Sequence, residues 1–426
     1  MNRSMRLIKW RGAMEQSGVT RARLRAAKVL AVAACLLFGA IPSASVAHAH
    51  VKWFVTCEPA DSPIPLQAVL TERFWLFLAL FIALFYVACQ AEQTAIGALL
   101  TKFLDRATAF LHERVDVLLR AVAAVSFSLL WVDGSVMLTP ELKGNSFSLS
   151  AIQVLIPIFL VARSTLPAAA AGIIVLYGCG VASYGLFHML DYPIFLGLAA
   201  YFALSVTPNA KVRAFRGNCL RWSVALSLLW PAMEKFLYPG WITPIAIEHP
   251  ELTLGLDIAT VTTAAGVVEF GLSFAMFWTP LVRRLGALVL ALLLFAATFD
   301  FGKLDAVGHL MVIAVLLSVV ADPGAEAPHC RPALAPVVSG AALLAAIFLY
   351  AGIHTLYYGS QAAALVPVMS GTALLIVIAL YLSGAAHTLL QIVQRPARRD
   401  VLAHRPLMMR AQPESFVVSR RGLSVS

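Results

Sequence analysis

The sequence predicts an all-α polytopic membrane bundle: about eleven transmembrane helices behind a cleaved signal peptide, mature N-terminus outside and C-terminus inside. Three observations predict it. The chain has 426 residues, 60% hydrophobic and 13% charged, about half the charge of an ordinary soluble domain, and its mean hydropathy is +0.82. Apolar runs of spanning length recur between residues 73 and 385. Lys and Arg crowd into alternate loops between those runs, as the positive-inside rule requires. The net charge of +10 therefore marks orientation in a membrane and not a nucleic-acid surface.

The elements follow in order. Residues 1–28 hold eight Lys and Arg, VLAVAACLLFGA is a 12-residue apolar run, and IPSASVAHA ends in small residues. That run is short for a spanning helix and fits a signal peptide over 1–47. Cleavage after Ala47 or Ala49 leaves His48 or His50 at the new terminus. A free amine, backbone nitrogens and a nearby imidazole suit Cu(II) in tetragonal geometry; the plainer reading of HAHVKW is a polar mature end beside the membrane. Residues 48–72 form a short exported segment, too small for a domain.

Spans are expected at about 73–90, 115–132, 148–162, 167–187, 192–206, 222–238, 256–278, 285–300, 306–321, 335–356 and 363–385. The runs are too long and too unalternating for barrel strands. With the mature N-terminus outside, the inner loops and tail carry 18 Lys and Arg. Lys52, Lys143, Lys235 and Lys303 fall outside, with Arg73 at the boundary. The spans group as a five-helix block (73–208), a four-helix block (209–321) and two closing helices (335–385). Residues 386–426 form an Arg-rich tail that fixes orientation and touches anionic lipid.

This topology sorts the polar residues by side. His48, His50, His188, His249, His309 and His354 fall outside or in outer helix ends, as do Asp133, Asp191, Glu234, Asp300 and Asp305. Imidazoles with carboxylates are ligands for zinc, copper or haem iron. His188 and Asp191 are one turn apart before Pro193, and Asp305 and His309 are i and i+4, so each pair shares a helix face. In each pair the acid can orient a ligating imidazole; the plainer reading is an interfacial hydrogen bond or a cap. Glu269 lies mid-span between Val268 and Phe270, where a carboxyl needs a partner such as Lys235, an Arg or a metal. Trp75, Trp131, Trp222 and Trp241 sit near span ends as interfacial belt residues. The six cysteines include no CxxC pair, and no HExxH, phosphate loop, nucleophile elbow or dinucleotide glycine pattern occurs.

Residues 222–320 resemble the four-helix DoxX-type membrane family. The likeness is carried by Glu234-Lys235-Phe-Leu-Tyr-Pro239, Glu269-Phe-Gly271-Leu272, Arg283-Arg284 and Gly308-His309-Leu310. It covers about a quarter of the chain, which departs from the family by its signal peptide and five preceding spans. The resemblance implies a link to thiosulfate:quinone oxidoreduction or redox homeostasis, with Lys235, Glu269 and His309 in a polar site within the bundle. The outward-facing histidines are also similar to copper-resistance membrane proteins of the D type.

The sequence therefore leads to three expectations for a bacterial inner-membrane protein in contact with lipid. One is metal handling or redox homeostasis at a site open to the periplasm. His50, His188, Asp191, Asp305 and His309 would be ligands or their supports, copper the metal, and a periplasmic metal carrier a partner. Another is a quinone-linked electron-transfer subunit alongside other membrane subunits, in which Glu269 carries a proton and Lys235 holds an anionic or carbonyl group; haem remains open as a further cofactor. The third is a non-catalytic assembly subunit.

Overall fold

The computed structural model describes residues 51–55, 57, 60–134, 137–144, 146–324 and 334–359. The expected signal peptide, His50, the span at 363–385 and the basic tail lie outside them. The described chain is helical, with no strand. We label its main helices α1 (Glu72–Glu92), α2 (Ala95–Val132), α3 (Phe147–Val161), α4 (Leu166–Tyr184), α5 (Pro193–Ser205), α6 (Arg216–Leu237), α7 (Pro239–Glu248) and α8 (Ile258–Ala275). Then come α9 (280–301), α10 (303–321) and α11 (Ala335–Tyr358).

Local chemistry starts these helices. Thr71 accepts from the Phe74 amide, Thr94 from those of Ile96 and Gly97, and Asp257 from that of Thr260, as N-caps do. Pro167, Pro193 and Pro280 open α4, α5 and α9, where a missing N–H costs nothing.

Two boundaries differ from the sequence reading. The helix expected at 115–132 begins at Ala95, with only Gln93 and Thr94 between it and the end of α1. Its added half carries Ile96, Leu99, Leu100, Phe103 and Leu104 at helical spacing. A search for unbroken apolar runs passes over it because Lys102, Asp105 and Arg106 interrupt the run. The second is at Gly302, which has φ 74° and ψ −150° and divides residues 280–321. A straight helix would set Arg284 and Val320 about 54 Å apart, yet the Arg284 Nε donates to the Val320 carbonyl at 2.7 Å. The chain therefore doubles back at Gly302, and α9 and α10 form an antiparallel pair.

Six helical stretches among the described residues are long and apolar enough to cross a membrane, counting 280–321 as one. Two shorter apolar helices, α3 and α5, accompany them. Leu76, Leu80, Leu84, Phe103 and Phe110 are exposed, an apolar surface that suits lipid. This is a membrane protein.

Helix α6 sits at the centre. It packs against α5, α8, the α9–α10 pair and α11. Leu220, Val224 and Leu228 join the core formed with α2 to α5 and α10, whereas Met233, Phe236 and Leu237 join an aromatic core formed with α1, α8 and α11. The α6 helix is the polar one, with Arg221, Glu234 and Lys235. Neighbours on all sides keep that polarity away from lipid, and they position the site.

Candidate functional site

At the C-terminal end of α6 the segment that precedes α1 enters the bundle. Lys52 lies in a single 3₁₀ turn, Val51–Trp53, and its side chain is 3% exposed. Its ammonium donates to Asp191 Oδ2 and, at 2.6 Å, to Glu234 Oε1. The Tyr350 hydroxyl donates to the same Glu234 oxygen at 3.1 Å. Asp191 lies in the turn before α5 and is fully buried, and its Oδ1 has no partner among the described residues.

The electrostatics of this cluster are set by one cation among several acids. Burial works against the charged form of Lys52, but the charges of Asp191, Glu234 and Glu141 outweigh it and hold its pKa above the ordinary lysine value. Burial and the Glu234 charge push Asp191 well above the usual aspartate range, against the pull of Lys52. The two directions agree: Lys52 holds its proton more tightly than an ordinary lysine, and Asp191 more tightly than an ordinary aspartate. Beside them, burial pushes the Cys57 thiol up to about 12.

Trp53 follows Lys52 into the bundle and lies over His309, ring centroids 4.7 Å apart. A Cβ at position 308 would fall 2.1 Å from the Trp53 ring, so Gly308 permits this approach. His309 Nδ1 is 2.9 Å from Asp305 Oδ2, and both residues are buried. The carboxylate fixes the protonated nitrogen on that side and leaves Nε2 as the acceptor.

Adjacent residues on a helix point about 100° apart, so Glu234 and Lys235 do not pair with each other. Glu234 turns to Lys52, and Lys235 Nζ pairs at 2.5 Å with Glu269 Oε2 of α8. The mid-span carboxyl thus has its partner. A narrow, partly open cleft of about 40 Å³ lies between these groups. Asp191, Tyr192, Lys235, Glu269 and His309 line it with Trp53 above and Phe195, Leu228, Leu294 and Met311 as apolar wall.

The five residues expected as metal ligands do not form one set. His188 and Asp191 share a helical turn, yet Asp191 turns to Lys52, while His188 Nε2 meets Glu141 Oε1 at 2.8 Å. The Tyr192 hydroxyl donates to that same Glu141 oxygen. Among the described residues the one group with metal-ligand spacing is Glu141, His188 and Asp191, whose ligand atoms lie within 4.8 Å of one another. Asp305 and His309 stand apart from it, and His50 is outside the described residues. Two carboxylates and an imidazole suit zinc or manganese better than soft copper(I), and Lys52 already supplies positive charge to Asp191.

Sequence reasoning passed over Lys52, Trp53, Glu141, Tyr192 and Tyr350. One signal pointed to Lys52: the outer helix ends hold more acids than bases, and buried acids need a cation.

No protein-family model matches this chain, and neither a curated protein nor a solved structure matches it.

Proposed function

We propose that the chain is a quinone-linked subunit of a bacterial inner membrane, with eleven spans and with the Lys52 end at the periplasm after removal of the signal peptide. The asymmetry of Lys and Arg among the loops supports that orientation. The observation that carries the functional reading is the shared lining of one cleft by the Lys235–Glu269 ion pair and the Asp305-oriented His309, between apolar walls. A planar carbonyl ring needs an apolar slot, a donor for one oxygen and a proton acceptor or donor for the other. Lys235 donates a hydrogen bond to the first oxygen; on quinol oxidation the Glu269 carboxylate takes up the proton released there, and the free Nε2 of His309 takes up the proton of the second hydroxyl. A partner subunit delivers or removes the electrons. The DoxX-type resemblance of residues 222–320 names the same three residues.

The test is titration of the detergent-purified protein with a short-tailed quinone, followed by quenching of tryptophan fluorescence and by calorimetry. Saturable binding is expected, weakened at least tenfold, or about 1.4 kcal/mol, by Lys235→Met and by His309→Ala. Absence of binding to the folded protein, or unchanged binding in both variants, overturns the reading.

A second reading, a divalent cation held by Glu141, His188 and Asp191, is favoured by their spacing. It requires Lys52 to leave Asp191. Lys52→Met then raises the zinc or manganese content of the purified protein, whereas the quinone reading predicts no change in metal.

A further inference from the structure

The end of α6 away from Glu234 gathers guanidiniums. In α9, Arg284 Nη1 donates to Asp105 at 2.6 Å and Arg283 lies 3.6 Å from Asp322, so each has an acid of its own. The links around α4 and α5 are different. Between Lys143 and Glu234 the only acid is Asp191, which Lys52 holds at the other end of the bundle. The α3–α4 link, the α5–α6 link and the first turns of α6 bring Arg163, Lys211, Arg213, Arg216 and Arg221, with no acid among them.

An acid reaches them from α2. The Asp116 carboxylate lies 3.7 Å from Arg120 Nη1, 3.9 Å from Arg163 Nη2 and 3.8 Å from Arg216 Nη1. Glu113, one turn earlier, is met by Arg114 at 3.5 Å. Three guanidiniums thus share one carboxylate, three positive charges against one negative. All three distances exceed those of hydrogen bonds, and Asp116 Oδ1 accepts none among the described residues. Two of the guanidiniums are nonetheless held in place. Arg120 donates from Nε to the Leu160 carbonyl at 2.7 Å and from Nη2 to that of Val161, which closes the end of α3. Arg216 Nη1 donates to the Ser205 hydroxyl at 2.9 Å, and its guanidinium lies 4.9 Å from the centre of the Tyr201 ring. Arg163 is 64% exposed and free to close over a ligand.

We propose that Arg120, Arg163 and Arg216 bind the phosphate of an anionic phospholipid. The guanidinium fork matches the spacing of phosphate oxygens, and side chains already held lose little freedom on binding. The surroundings favour a lipid over a free ion. Val117, next to Asp116 on α2, and Ile158 and Val161 at the end of α3 are exposed. They give acyl chains an apolar surface beside the charge, and basic pockets between membrane helices hold anionic headgroups in this way. Asp116 keeps the arginines together between ligands and competes with the phosphate for them.

The experiment titrates phosphatidylglycerol, phosphatidylcholine or inorganic phosphate into the full-length protein in neutral detergent at fixed ionic strength. Apparent affinity is read from the rise in melting temperature that a ligand of the folded state produces. Native mass spectrometry reads the retained lipid. Phosphatidylglycerol should bind saturably and phosphatidylcholine should not. Arg163→Gln and Arg216→Gln should each weaken binding about fivefold, the worth of one basic residue against an anionic headgroup. Asp116→Asn should tighten it by a similar factor, and Arg73→Ala should leave it unchanged. Arg163 is exposed enough that its variant folds even where Arg216→Gln does not. That pattern with phosphatidylglycerol supports the lipid site, and the same pattern with inorganic phosphate alone supports the site with the free ion as its ligand. Equal shifts with phosphatidylglycerol and phosphatidylcholine, no shift with any of the three, or weaker binding in Asp116→Asn, as a merely structural cluster would give, overturns the proposal.

Discussion

The two ends of α6 solve the problem of buried charge in opposite ways. They are separated by Arg221 and Glu234, about 20 Å along the helix. At the Glu234 end carboxylates predominate, and the chain sends Lys52 in from a segment outside the helices to neutralise them. At the Arg221 end the buried guanidiniums of Arg283 and Arg284 face Asp322 and Asp105, acids that are nearly half exposed. The first end holds its cation between buried acids, whereas the second pairs buried guanidiniums with acids at the water boundary. The difference teaches where the fold is brittle: an inserted lysine between buried acids has no substitute, while a half-exposed acid that loses its arginine can turn to water.

The largest expected effect breaks that contrast directly. Lys52→Met leaves Asp191 and Glu234 buried without their cation. Removing one partner of a buried ion pair destabilises by about 3–5 kcal/mol, read as a fall in the melting temperature in detergent. Adding Asp191→Asn removes one stranded charge and recovers part of the loss. If the double variant melts no higher than the single one, the charge argument fails.

Arg284→Met is the matching cut at the other end. It strands the Val320 carbonyl but leaves Asp105 at the water boundary, so about 1–3 kcal/mol is expected for the unmade bonds. The order of the two variants is the prediction: Lys52→Met melts below Arg284→Met. The reverse order would mean that the arginine end, and not the inserted lysine, holds the bundle.

Changing pH sharpens the comparison without a mutation. Asp191 has a folded pKa above the ordinary aspartate value of 3.8, so above that pH the folded state holds more proton than the unfolded chain. Stability then falls as pH rises through this range, the opposite of the usual salt-bridged aspartate. Lys52 acts with the same sign at higher pH. Its contribution is complete below the ordinary lysine value of 10.5 and is lost as pH rises through its higher folded value. The melting temperature of wild type should decline from mildly acidic to alkaline pH, and Asp191→Asn should flatten the lower part of that decline.

These residues also show what the sequence could and could not reveal. Helix α6 was legible as a helix because its charged residues sit at its ends and leave an apolar run between them. The pairing of Lys235 with Glu269 was legible as a need, since a mid-span carboxyl requires a partner and Lys235 is near in the chain's topology. Lys52 was not legible as its solution, because the segment HAHVKW has no helical period and nothing local records that its lysine folds back between Asp191 and Glu234. Glu141 was missed for a related reason: it lies in the loop before α3, and only the fold brings it to His188. Short-range pairs such as Asp305 and His309 follow from helix geometry, whereas pairs separated by a hundred residues follow from packing.

The smallest predicted effect isolates burial from charge. Arg73 Nη1 and Asp257 Oδ1 are 2.7 Å apart, a good ion pair by distance, and Arg73 begins the same α1 helix whose aromatic face packs against α6. Both side chains are at least half exposed. Water and salt screen such a pair, and ordering the long arginine side chain offsets what attraction remains. Arg73→Ala should leave the melting temperature within measurement error at physiological salt, although it removes a shorter contact than the one between Arg283 and Asp322. A loss comparable to that of Arg284→Met would show that charge count, and not exclusion from water, decides stability in this bundle. The contrast between its two ends would then need another cause.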